Sequence, residues 1–102
     1  MSKEGFRGLV VWQKAKEFAV AIYQLTSEGA IARDFGLRDQ MRRAAISVCS
    51  NIAEGSAAEL ISQLEIAKAV GYLSNDDALR LIQTSDEIGK MLRGLIKARS
   101  DT

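Results

Sequence analysis

The side chains best equipped for chemistry in this sequence are its cations. Arg38, Arg42 and Arg43 lie within one helical stretch, with Arg33 just ahead of it, and Lys90, Arg93, Lys97 and Arg99 form a second cluster much later in the chain. Guanidinium groups pair with phosphate in a fork geometry and ammonium groups act as point charges, so both clusters suit contacts to a nucleic-acid backbone. A solvated face is the simpler reading of both. Asp34 and Asp39 stand beside the first cluster as ion partners, and cations near a helix C-terminus are favoured by the helix dipole. The formal net charge is only +1, so contact with RNA or DNA would rest on local clustering and not on bulk charge.

Catalytic chemistry has little to work with. The chain has no His, which removes the commonest general base and metal ligand. Its one cysteine, Cys49, falls among small residues on a helical stripe, where it reads as a core thiol. No glycine-rich loop precedes a helix to cradle phosphate, and a carboxylate metal site in a bundle needs a Glu-x-x-His pattern that cannot occur here. We therefore expect no enzyme activity, no cofactor and no metal. A lone cysteine fits a reducing cytoplasm. Met1 to Leu9 carries no apolar run, so no signal peptide is expected, and no stretch approaches the ~20 apolar residues of a membrane span.

The elements that would position these residues are all helical. Proline is absent, and Ala, Leu, Ile, Glu, Lys and Arg favour helix. Val11, Ala15, Phe18, Ile22 and Leu25 recur at steps of three and four, predicting a first helix over 8–28 with Trp12, Ala19 and Tyr23 widening its stripe. Gly29 reads as its stop. A second helix is predicted over 37–54 with Leu37, Met41, Ala44, Ala45, Val48, Ile52 and Ala53 inward. A third runs over 56–70 with Ala57, Leu60, Ile61, Leu64 and Ala67 inward, and Gly71 ends it. Ser74 caps a fourth helix reaching Arg99, with Asp77 three residues on as in a capping box. That helix buries Leu81, Ile82, Ile88, Met91, Leu92, Leu95 and Ile96. Four amphipathic helices with short connections predict one all-α domain over 1–102, an antiparallel up-down four-helix bundle with a short third helix. Trp12 and Phe35 read as core or interface anchors, because large aromatics bury much area.

The run from Phe35 through Gly36-Leu37-Arg38-Asp39-Gln40-Met41-Arg42-Arg43 to Asn51-Ile52-Ala53-Glu54-Gly55 is distinctive. With Val11-Trp12-Gln13-Lys14-Ala15 before it and Gly71-Tyr72-Leu73-Ser74 after it, the chain resembles the bacterial four-helix-bundle family also known as the 23S rRNA intervening-sequence protein family. The resemblance implies an up-down bundle that assembles into a ring-like homo-pentamer. It also implies distant kinship with the accessory protein of diversity-generating retroelements, a basic pentamer that binds nucleic acid and a reverse transcriptase. The family motif contains both Asn51 and Glu54, which lie beside the second helix's stripe, where a polar pair can fix register or a subunit contact.

One departure matters. Family members carry a basic loop and the first half of a long third helix after the Asn-Ile-Ala-Glu-Gly block. Here Gly55 runs straight into Ser56-Ala57-Ala58-Glu59-Leu60, a gap of about five turns or roughly 27 Å of helix. Either the chain reverses in a tight turn at Gly55-Ser56, or the second and third helices fuse and push the fourth onto another subunit as a domain-swapped dimer. Two functional readings follow: a homo-oligomeric scaffold that associates with RNA or DNA through Arg33, Arg38, Arg42, Arg43, Lys90, Arg93 and Lys97, or a protein–protein adaptor without nucleic acid.

Overall fold

Without proline, nothing in the backbone chemistry forbids long helices, and the described residues form four: α1 (Lys3–Leu25), α2 (Phe35–Cys49), α3 (Gly55–Ala69) and α4 (Asn75–Ser100), with a 3-10 turn at Ala30–Arg33. The computed structural model describes residues 3–50 and 55–100, with side chains for residues 5, 8–50 and 55–98. Four of the helix ends have an identifiable cause. At the end of α1, the Thr26 and Ser27 hydroxyls donate to the Ile22 and Tyr23 carbonyls at 2.8 and 2.6 Å. Hydroxyls that bond back to the previous turn compete with the helix ladder. The helix therefore stops three residues before the predicted end at Glu28, and Gly29 instead takes a left-handed φ of 75° to start the 3-10 turn.

Asp34 caps α2, its carboxylate accepting from the Leu37 amide at 3.2 Å, so the helix begins at Phe35, two residues before the expected start. The end of α3 is a Schellman motif. Gly71 has φ 87°, its amide donates to the Lys68 carbonyl at 3.1 Å and the Tyr72 amide donates to the Ala67 carbonyl at 2.8 Å. Ser74 caps α4 as anticipated, accepting from the Asp77 amide at 3.1 Å.

Packing contacts join α1 to α2, α2 to α3, α3 to α4 and α4 back to α1. Each helix thus sits between two others around a square, and the short connections make neighbours antiparallel. The predicted four-helix, all-α architecture is formed. Because α2 and α3 are separate helices lying side by side, the fused helix is ruled out. The expected turn at Gly55-Ser56 is also displaced: α2 ends at Cys49 rather than Glu54, and both Gly55 and Ser56 already belong to α3. Residues 51–54, between these helices, lie outside those described. The short third helix has an equally short partner, since α2 and α3 are 15 residues each against 23 for α1 and 26 for α4.

The core follows the apolar stripes. Ile22, Met41, Leu60, Leu64 and Ile88 are fully buried, with Val11, Phe18, Val48, Leu81, Leu92 and Leu95 around them, each large aliphatic contributing about 1.5–3 kcal/mol. Leu25, Leu37, Ile61, Ile82 and Met91 are half-buried at the margins. Small residues set the α3–α4 spacing: a Cβ on Gly89 would lie 3.3 Å from that of Ala57, and Ser85 donates to the Ala57 carbonyl at 2.8 Å. Some stripe residues are misjudged by periodicity. Trp12, Tyr23 and Ile96 are 41%, 38% and 42% exposed, and Phe35 at 63% is a surface residue, not a core anchor. Among the described residues no helix is long and apolar enough to cross a membrane.

Candidate nucleic-acid interface

The first cationic cluster divides into two working pairs. Arg42 is turned against the end of α1: its Nε donates to the Thr26 hydroxyl at 2.8 Å, its Nη2 to the Ser27 hydroxyl at 3.3 Å and the Tyr23 carbonyl at 3.4 Å. The guanidinium also stacks 4.7 Å from the Tyr23 ring centre. Thr26 is completely buried, so this network ties α2 to carbonyls and hydroxyls that the fraying helix leaves over. Arg38 is similarly held, donating to the Ala32 carbonyl at 3.1 Å and to Asp39 at 3.0 Å while lying 4.7 Å from the Phe35 ring centre. Arg33 and Arg43, in contrast, are exposed and have no ion partner among the described residues.

The second cluster lies on α4. Lys90 pairs with Asp86 one turn earlier at 3.1 Å; Arg93 and Lys97 are exposed without an ion partner among the described residues. The Arg99 side chain lies outside the described residues. The two clusters do not converge. Lys14 of α1 meets Glu87 of α4, so the remainder of α4 runs alongside the start of α1, whereas Arg42 grips the end of α1. At about 1.5 Å per residue this puts Lys97 roughly 30 Å along the bundle from Arg42.

Of the remaining expected residues, Asn51 and Glu54 lie outside the described residues. Trp12 is on the surface, with the Lys16 ammonium 5.3 Å from its ring centre. Phe35 is on the surface at the start of α2, under Arg38. An apolar surface row was not anticipated. Val20 and Tyr23 of α1 and Ile46 of α2 are exposed and, with half-buried Ala19 and Cys49, line a groove of about 400 Å³ between the two helices. Periodicity assigns Ala19 and Tyr23 of this row to the core stripe and leaves Val20 and Ile46 outside every predicted stripe. A further polar link was also missed: the Tyr72 hydroxyl donates to Asp34 at 3.0 Å. This bond keeps the phenol protonated and raises its pKa, with lesser help from burial and from the carboxylate's charge. Among the described residues, no three metal-ligating side chains gather.

A family model described as 23S rRNA-intervening sequence protein matches residues 7–58, just over half of the chain. The match ends close to Gly55, where the sequence departs from the resemblance. No curated relative and no solved structure matches the chain.

Proposed function

Because the chain belongs to the 23S rRNA-intervening sequence protein family, we propose that it is a non-enzymatic helical scaffold that assembles with copies of itself and associates with RNA or DNA. The observation that carries this reading is the exposed apolar row of Val20, Tyr23 and Ile46 on a bundle whose core is already complete. A second copy would bury that row, as apolar area removed from water stabilises association. Resemblance to the family supports five as the subunit number. The nucleic-acid half of the reading rests on Arg33, Arg43, Arg93 and Lys97, whose charges are not neutralised by neighbours among the described residues. Repetition around an oligomer would let weak patches act together.

The test is a solution mass by light scattering, followed by a salt series of RNA binding. A species of several subunits and binding that falls steeply between low and physiological salt are the expected results. A monomer would remove the scaffold, and salt-independent binding would remove the phosphate contacts. The apolar groove between α1 and α2 favours a second reading, an adaptor that accepts a partner helix there. Recovery of one protein after nuclease treatment, lost on Ile46→Glu, would select that reading.

A further inference from the structure

Three aromatic rings are exposed among the described residues, and each has a cation over it. Lys16 lies 5.3 Å from the Trp12 ring centre, while Arg42 and Arg38 lie 4.7 Å from those of Tyr23 and Phe35. Such pairs occur about once in 70–80 residues, so three in one small chain call for an explanation. The Tyr23 pair has one in the fold, because Arg42 ties α2 to the end of α1. Phe35 has none. It is the most exposed large apolar side chain of the described residues, at 63%, and it borders neither the α1–α2 nor the α2–α3 groove. Ile46 lies eleven residues on, about 16 Å along α2, so Phe35 stands apart from the apolar row assigned above to a second copy. The residues that share its face of α2, three and seven positions on, are Arg38 and Arg42.

Its charged neighbours along the chain are Arg33, Asp34, Arg38 and Asp39. Asp34 accepts from the Leu37 amide and the Tyr72 hydroxyl, and Asp39 accepts from the Arg38 Nε at 3.0 Å. Arg38 also donates through Nη1 to the Ala32 carbonyl at 3.1 Å. Its guanidinium is thus pinned over one face of the ring. A ring covered on one face and still 63% exposed turns its other face to solvent. Arg33 alone is uncommitted, exposed and without an ion partner among the described residues. Its Cα is at most about 7 Å from that of Phe35, so its long side chain reaches the space around the ring. An open aromatic face beside a free guanidinium matches a nucleotide of an unpaired strand, which brings a flat base and an anionic phosphate together. Bases stack on aromatic side chains with help from arginine, and guanidinium pairs with phosphate in a fork. A protein partner fits less well, because an anchor ring between proteins sits in a desolvated pocket and here charged side chains flank it. We propose that Phe35 is a stacking platform for an unpaired base of single-stranded RNA or DNA, with Arg38 holding the ring and Arg33 pairing with the adjacent phosphate. This rests on the nucleic-acid reading above and gives the strand a place on the bundle.

The experiment titrates the full chain and its variants with dye-labelled single strands of about ten nucleotides, within the span of small strand-binding domains. RNA, DNA and an abasic strand of the same length are compared across a salt series. Phe35 and Arg33 are exposed, so their variants should keep the thermal midpoint within a few degrees of wild type. Phe35→Ala and Phe35→Leu should each weaken base-bearing strands by about tenfold, as for one stacked base. Phe35→Trp should hold the wild-type affinity, and none of the three should change binding of the abasic strand. Arg38→Gln should weaken base-bearing strands and spare the abasic one, which a loss of fold would not do. Arg33→Gln should weaken both kinds alike and lower the slope of log affinity against log salt by about 0.7. A response of RNA alone or DNA alone would support the platform and name its strand. Wild-type affinity in Phe35→Leu, or an abasic strand as sensitive to Phe35 as the others, would overturn the platform and leave the nucleic-acid reading standing. Failure of every strand to bind at low salt would overturn both.

Discussion

Arg42 shows how a residue suited to one chemistry can be engaged in another. Its fork joins α2 to the Thr26 hydroxyl, the Ser27 hydroxyl and the Tyr23 carbonyl, so Arg42→Ala should lower unfolding stability by about 1–3 kcal/mol. Lysine has no planar fork and cannot reach three acceptors together. Urea denaturation of Arg42→Lys should therefore fall nearer the Ala variant than the wild type; full recovery would mean that charge alone matters. The Tyr72–Asp34 bond gives a second residue-level prediction. The folded-state pKa of Tyr72 is raised above 10.0, so the bond's contribution is complete below pH 10 and is lost as pH rises through the raised value. Wild-type stability should thus decline more steeply above pH 10 than that of Tyr72→Phe, and parallel pH curves would show that the bond contributes nothing. Arg38 and Arg42 look alike in the sequence to Arg33 and Arg43. What separates them is the position of the preceding helix end, and no spacing within α2 records it.

At the scale of elements, two glycines with opposite roles test the account of the helix ends. Gly71 has φ 87° in the Schellman turn after α3, where an L side chain costs about 1 kcal/mol or more. Gly94 is inside α4 with nothing within 4 Å of an added Cβ. Thermal unfolding should show Gly71→Ala destabilised and Gly94→Ala stabilised, each by about 1 kcal/mol; the same sign for both would refute the assignment. The helix count, the Ser74 cap, Gly71 as a stop and the core stripes were legible because each is a local signal. Two things were not. The end of α1 is set by competition from the Thr26 and Ser27 hydroxyls, and a glycine three residues later was the stronger textual signal. The exposure of Trp12 depends on partner length: α2 has 15 residues against 23 in α1, so it cannot cover the whole side of α1. Periodicity shows which face is apolar, not how far a neighbour extends along it. Of the candidate site, the cations were legible as residues; their division into engaged and unpaired groups was not.

For the whole molecule, the extents of 46 × 20 × 18 Å describe a rod, and a rod elutes early enough to imitate an oligomer. Mass must therefore come from scattering and not from elution volume. Ile46 and Val20 are 50% and 48% exposed on facing helices, so charging both adds little to the monomer's folding cost while making the shared face hard to bury. Val20→Lys/Ile46→Lys should shift the scattering mass toward one subunit with the thermal midpoint of the dilute protein within a few degrees of wild type. An unchanged mass would move the subunit contact elsewhere. The two basic ends then decide how such an assembly holds a strand. Each phosphate neutralised on single-stranded nucleic acid contributes about 0.7 to the slope of log affinity against log salt. Arg93→Gln/Lys97→Gln removes two cations from one end of the rod, and the slope per protomer should fall by about 1.4 if both contact phosphate. Arg42→Gln should leave the slope untouched, because that guanidinium already faces α1. Equal reductions from the two sets would mean that the bound strand pulls Arg42 off its helix end, and the stability lost there would then appear as weaker binding at every salt concentration.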